Sequence, residues 1–271
     1  GSPASASLAS SGGLHGTSLD GSTRAGAGRT GGGAGAAPER GDIIRGPAMM
    51  IMPPLHTLIE ATGTTLWLVS TAFALSVPIA LTAYLLAVSA PARSPVRNII
   101  RAWSAVLTGT PLLLQLFFVY YGTGVYVDML EALGLWAVLR SPENCVIGVL
   151  ACNSAAYQFQ VLSTARMQLD RGLTDGAAAL GLTPLQCERA VLLPIVVRRS
   201  AHAIGEEVVA LVKGSAVVSV VAVHDLMGAA RIGYAQTFDP MPIWLAAGVY
   251  LVIVLFVSDL CRRAARCAAM Y

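Results

Sequence analysis

Lys213 is the single lysine of the 271-residue chain, and it lies in an apolar stretch with Glu206 and Glu207. Ionisable groups in a run that otherwise suits a bilayer are costly unless they face a cavity or one another. Glu206 and Lys213 are seven residues apart, so on a helix they share a face at a separation of about 10 Å. That is too far for a direct ion pair, but suited to lining one polar path. The other reading sets the span end differently, so that the glutamates meet the cytosol. A second polar group lies upstream at Gly109-Thr110-Pro111, with Gln115 one turn further on. Pro111 removes a backbone donor and frees a carbonyl, as broken helices at transport sites do. A kink satisfied by a neighbouring helix is the alternative. Gln115, Gln160 and Lys213 are the candidate path residues. Lys213 suits an anionic group, and Gln160 can donate or accept without selecting charge.

No set of residues suggests catalysis. The chain has no Gly-x-x-x-x-Gly-Lys-Ser/Thr, and its one lysine sits in an apolar run, so no P-loop is expected and any ATP must be hydrolysed on a partner. The five cysteines (145, 152, 187, 261 and 267) form no Cys-x-x-Cys pair and read as reduced, structural residues. His56, His202 and His224 have no ligand partners at useful spacing. No metal or cofactor is expected. A net charge of +3 points to no nucleic-acid partner.

The elements that must hold these residues are membrane helices. The chain is 55% hydrophobic and 12% charged, with a mean hydropathy of +0.65, whereas soluble chains carry about a quarter charged residues. A span needs about 20 largely uncharged residues. Five candidates lie at 62–89, 102–125, 145–164, 200–223 and 241–260. The fourth contains Glu206, Glu207 and Lys213. Eleven Arg residues fall in the loops after spans one, three and five, against Arg140 and Arg231 on the other side. The positive-inside rule then places the N-terminus outside and the C-terminus in the cytosol. Arg93, Arg97 and Arg101 recur every four residues and are expected to contact lipid phosphates. Residues 1–48 are Gly, Ala, Ser and Thr with scattered Arg. They read as a disordered leader, before a natural start near Met49. The outer loop 128–144 reads as a short amphipathic helix or a packed connector.

The cytosolic loop 166–199 carries a further pattern. Thr174 is expected to cap one short helix, with Asp175 in its first turn. Gly181 is expected to end it in the left-handed conformation. Thr183 caps a second, with Pro184 at the first helical position and Gln186 completing a capping box. That helix is expected to stop before Pro194. Two short helices with an Ala-rich face in a cytosolic loop make a docking element.

The spacing resembles the cytosolic motif of the inner-membrane permeases of binding-protein-dependent ABC importers. In that family Glu-Ala-Ala is followed by Gly four residues on, nine residues, and Ile-x-Leu-Pro. This chain has Asp175-Gly176-Ala177, Gly181, nine residues, and Val191-Leu192-Leu193-Pro194. Gly109-Thr110-Pro111-Leu112-Leu113-Leu114-Gln115-Leu116 is similar to a stretch of the polar amino acid and opine branch (the histidine, arginine and glutamine type). So are Ala155-Ala156-Tyr157 and the series Glu207, Lys213, Ser215 and Ser219, although Gly214 stands where members carry an acid. Many members follow Ala-Ala-Tyr with x-x-Glu, where this chain has Gln160.

The resemblance implies an all-α membrane protein of ABC type I importer permease type, with five transmembrane helices and a two-helix coupling loop. It implies a non-enzymatic subunit moving polar amino acids or opines across the bacterial inner membrane. Implied partners are a cytosolic ABC ATPase dimer, a second permease chain (identical or homologous), a periplasmic or lipid-anchored binding protein, and membrane lipids. Asp175, Gly176, Ala177, Gly181, Val191 and Pro194 are the implied coupling residues. Two other classes compete. An ion-coupled secondary transporter needs more spans or an internal repeat, and a membrane-embedded enzyme needs a catalytic set. Neither signal is present.

Overall fold

The computed structural model describes residues 55–91, 93–221 and 223–270, so the expected leader at 1–48 lies outside the described residues. Long uncharged runs leave each backbone polar group to be satisfied inside its own segment, and helices do this. The described residues form helices α1 (Leu55–Ser89), α2 (Pro95–Gly109), α3 (Leu112–Val125), α4 (Val127–Ala132), α5 (Trp136–Leu139) and α6 (Pro142–Met167), followed by α7 (Arg171–Ala179), α8 (Pro184–Cys187), α9 (Leu193–Ser215), α10 (Leu226–Thr237) and α11 (Met241–Met270). A π-helical turn at Glu188–Leu192 joins α8 to α9, and a 3-10 turn at Ala216–Val220 follows α9.

Helix α6 is the centre, packed by α1, α2, α3 and α9. Two-thirds (67%) of its most apolar window is buried, against 11% for α11. The difference follows composition: α6 carries Ala151, Ala155 and Ala156 where neighbours approach, while α11 presents Leu251, Leu255 and Phe256 outward. One apolar cluster (Leu68, Leu116, Val146, Leu150, Val212) lies toward one end of the bundle. A second (Tyr84, Phe159, Leu162, Leu192, Val196) lies where the 166–199 loop meets the helices.

Three described helices (α1, α6, α11) are long and apolar enough to cross a membrane, and α2 with α3 makes four if that pair is one span. Expected span 102–125 is thus two helices bent by 106° at Thr110–Pro111. Helix α9, in the place of the expected fourth span, starts earlier, at Leu193, and falls outside this set. Its Arg198, Arg199, Glu206, Glu207 and Lys213 keep its hydropathy down. The connection between α3 and α6 holds α4 and α5.

Two local expectations are corrected. Arg97 donates Nε to the Ala87 carbonyl at 2.8 Å, and its guanidinium also reaches the Ala90 carbonyl. It therefore caps the C-terminal end of α1, where a cation meets unpaired carbonyls, rather than serving only lipid phosphate. Helix α7 starts at Arg171, and its cap is Asp170, whose carboxylate accepts from the Gly172 N–H. Thr174 lies inside α7, its hydroxyl bonded back to the Arg171 carbonyl at 2.6 Å.

Candidate transport site and the 166–199 loop

Pro111 has no N–H to continue the helix, so α2 ends at Gly109 and the chain turns extended through Thr110 (ψ 143) and Pro111 (ψ 134). The carbonyls stranded at that end are taken up by side chains. Gln115 donates Nε2 to the Leu107 carbonyl (2.7 Å), the Thr110 carbonyl (3.0 Å) and Thr110 Oγ1 (2.8 Å). From α6, Asn153 donates Nδ2 to the same Leu107 carbonyl and to Gln115 Oε1, both at 3.1 Å. The amide of Gln115 is therefore committed to holding the break. Nothing in the local sequence marked Asn153, which reaches Leu107 from 46 residues away.

The next turn of α6 pins α2 again. Ala155 and Ala156 are fully buried, and Ser104 Oγ donates to the Ala156 carbonyl at 3.1 Å. Tyr157 donates its hydroxyl to the Thr108 carbonyl (3.2 Å), and Gln160 donates Nε2 to Thr108 Oγ1 (2.8 Å). Two stretches distant in sequence, the end of α2 before Gly109-Thr110-Pro111 and Ala155-Ala156-Tyr157 of α6, thus meet as one joint. Gln160 and Tyr157 are exposed at its edge.

Lys213 takes no part in these bonds. It lines a groove of about 370 Å³ between α9 and α11, with His202, Glu206, Ser258 and Arg262. Glu206 and Lys213 share this face, as their spacing predicts. His202 Nε2 lies 3.3 Å from Glu206 Oε1. Glu207 turns the other way, toward Ser154 of α6. The helices can approach because Gly205 has no Cβ: one built there would sit 2.8 Å from Cys261 Cβ.

The 166–199 loop is closed by backbone and side-chain caps. Gly181 has φ +77, the left-handed conformation that glycine adopts readily. The Leu182 N–H reaches the Ala177 carbonyl and the Gly181 N–H reaches the Ala178 carbonyl, the paired bonds of a Schellman end. Thr183 and Gln186 form the predicted capping box. The second helix does not stop at Pro194. It passes through the π-helical turn into α9, where Pro194 occupies the first turn and needs no donor. Asp175, Gly176, Leu180, Gly181, Pro184 and Leu185 are exposed on the outer side. Ala177 is 4% exposed, packed inward with Leu192 and Val196, and Val191 is half-buried against the same cluster.

Comparison with known proteins agrees with this geometry. Residues 79–265 match the family described as the binding-protein-dependent transport system inner membrane component. The chain is 29% identical over 216 residues to the nopaline transport system permease protein NocM of Agrobacterium fabrum, covering 78% of this chain and 87% of that one. It is 32% identical over 169 residues to the arginine ABC transporter permease protein ArtM of Haemophilus influenzae, covering 62% and 74%. A crystal structure of an amino acid ABC transporter with histidines superposes with a TM-score of 0.67 at 27% identity, covering 78% of this chain and 94% of that one. The methionine transporter MetNI in an inward-facing conformation shares the fold, with a TM-score of 0.58 at 20% identity over 79% and 94%. The chain belongs to the binding-protein-dependent transport system inner membrane component family and is an ABC permease subunit.

Proposed function

We propose that this permease imports amino acids or opines through five spans, driven by a separate ATPase that seats on the 171–192 loop. The observation that carries the proposal is the built geometry of that loop. A Schellman end at Gly181 and a capping box at Thr183 hold two short helices rigidly and leave Asp175, Gly176, Leu180 and Leu185 exposed. Leu180 is 82% exposed, a large apolar group that a partner's groove would cover. Ala177 and Val191 serve this surface from behind by packing α7 onto the bundle, and Pro194 starts the helix that leads away from it.

Nopaline and arginine appear in the names of similar permeases, which supports a substrate bearing an ammonium and a carboxylate. Gln160 and Tyr157 stand at the edge of the α2–α6 joint, where a solute passing the bent span would meet them. Gln115 shapes that joint from behind. Lys213, with Glu206 and His202, lies on a face of α9 that lipid would not suit. A second permease chain facing that groove would enclose it. The N-terminus is read as outside and the C-terminus, after Arg262, Arg263 and Arg266, as cytosolic. The loop would then meet a cytosolic ATPase dimer, and the opposite side a binding protein.

The test is uptake by vesicles holding the complete transporter, offered arginine, histidine, glutamine, nopaline and octopine in separate labelled assays. Uptake of one or more, dependent on ATP and on the binding protein, is expected. A Gly181→Val variant should hydrolyse ATP without uptake, because valine at φ +77 distorts the turn. Normal uptake in that variant at normal membrane levels would sink the docking assignment.

A further inference from the structure

Glu188 is a carboxylate in an apolar place. It is 3% exposed, on the turn between α8 and α9, next in the chain to Cys187 of the cluster that also holds Tyr84, Phe159, Leu192 and Val196. Two side chains satisfy it. The Tyr84 hydroxyl of α1 donates to Oε1, and Arg166 Nε of α6 donates to Oε2 at 3.0 Å. The three residues come from three elements, Tyr84 lying 104 positions and Arg166 22 positions from Glu188. A buried carboxylate separated from its cation and donor is left with its desolvation uncompensated. Glu188 therefore cannot move away from Tyr84 and Arg166 without penalty. It binds the cytosolic loop to α1 and α6 as one body.

Along the chain the loop joins α6 through residues 168–170 and α9 through the segment after α8, and the second of these is less regular. Residues Glu188–Leu192 form a π-helical turn, with the Leu193 N–H reaching the Glu188 carbonyl. Pro194 then brings no N–H of its own. Single π turns inside helices recur at functional sites and mark a local departure from the regular ladder. The packing of Ala177 against the same cluster is apolar and has no direction. The Glu188 bonds fix both distance and orientation of the loop relative to α1 and α6.

We infer that Glu188, held by Arg166 and Tyr84, is the positioning residue that carries displacement of the 171–192 loop to α1 and α6, and so couples ATP hydrolysis to transport. This rests on reading the loop as the ATPase docking element. Glu188 itself lies behind that surface. Asp175, Gly176 and Leu180 face outward, so substitution at 188 leaves the docking side chains in place.

The test uses the complete transporter in proteoliposomes, with a labelled amino-acid mixture as the probe and uptake per ATP hydrolysed as the readout. Glu188→Gln and Arg166→Met should lower that ratio at least fivefold, while the ATPase still copurifies and hydrolyses ATP. Arg166→Lys, which restores a cation to Glu188, should retain at least half of the normal ratio. Tyr84→Phe deletes one hydroxyl and keeps the ring in the cluster, and should lower the ratio about twofold. If the charge variants fail to accumulate, Tyr84→Phe decides alone. An unchanged ratio in Tyr84→Phe or Glu188→Gln, or an Arg166→Lys no better than Arg166→Met, overturns the inference. Gly181→Val separates the two readings. A normal ratio there sinks the docking assignment and this inference with it. An uncoupled Gly181→Val beside a normal Glu188→Gln sinks only the role of Glu188.

Discussion

Gln115 of α3 donates its side-chain amide to the Leu107 carbonyl of α2 at 2.7 Å, across the Thr110–Pro111 break that separates their helices. Asn153 of α6 donates to the same oxygen at 3.1 Å. A carbonyl oxygen has two lone pairs and accepts both. The 106° bend is therefore satisfied internally, in a region where an orphaned carbonyl would find no water.

Replacing Gln115 with Leu should strand the Thr110 carbonyl, leave the Leu107 carbonyl to Asn153 alone, and cost about 1–3 kcal/mol. The aggregation midpoint of the solubilised complex on heating should fall, and uptake should fall with it. Asn153→Ala alone should cost less, because Gln115 still serves Leu107. The double variant should lose more than the sum, as shared partners are not additive. A Gln115→Leu protein with an unaltered midpoint would show that this amide does not hold the break.

Helices α9 and α11 approach tightly at Gly205, where a Cβ would lie 2.8 Å from Cys261 Cβ. Gly205→Ala should push the helices apart, and Gly205→Leu should do so severely, at about 1–3 kcal/mol for overpacking. Loss of the folded complex on heating or in harsher detergent is the measurement. Cys261→Gly should recover part of the loss in Gly205→Ala by removing the atom it strikes. No recovery in that pair would move the conflict elsewhere.

Features set by a few adjacent residues were legible in the sequence. Gly181 ends α7 left-handed and Thr183 with Gln186 makes a capping box, because both motifs need only backbone and neighbours within four positions. Competition between caps was not legible. Asp170 starts α7 four residues before Thr174 does, since a carboxylate with a free N–H two residues on wins locally. The bend at Pro111 was marked by the missing donor, but its size depends on Gln115 and Asn153. The carbonyls that Gln115 serves were not legible, because Leu107 and Thr110 come within its reach only once the chain bends. Glu188 had no signal at all, because Tyr84 lies 104 positions away, and a glutamate in a loop between spans is ordinarily solvated.

Gln160 donates to Thr108 Oγ1 at 2.8 Å from an exposed position. A glutamate there would put a carboxylate at the same edge and favour cationic solutes over neutral ones. A hydrogen bond to a charged group exceeds a neutral one by about 1 kcal/mol, roughly fivefold in preference. Gln160→Glu should therefore raise uptake of arginine relative to glutamine about fivefold in vesicles holding the complete transporter. An unchanged ratio would place this residue away from the solute, or leave selection to the binding protein.

Lys213 lines the α9–α11 groove with Glu206 and Arg262, and it is the only lysine in the chain. An ammonium in a helix of this kind is retained where it faces water or an anion. If a passing solute presents its carboxylate to Lys213, Lys213→Met removes a charge-assisted contact worth roughly 1.5–3 kcal/mol. At 1.4 kcal/mol per decade, uptake should fall about tenfold or more. Methionine keeps the length and apolar stem of the side chain, so packing of α9 against α11 should survive. Assembly with the ATPase and ATP hydrolysis are measured in parallel, and both should stay within about twofold of normal. Lys213→Arg, which keeps the cation, should hold most of the uptake that Lys213→Met loses. Equal loss in the two would mean that the site needs a compact ammonium, as a packed contact with the second permease chain would. Unchanged uptake in both would remove Lys213 from the path and leave Gln160 and Tyr157, at the α2–α6 joint, as the side chains that meet the solute.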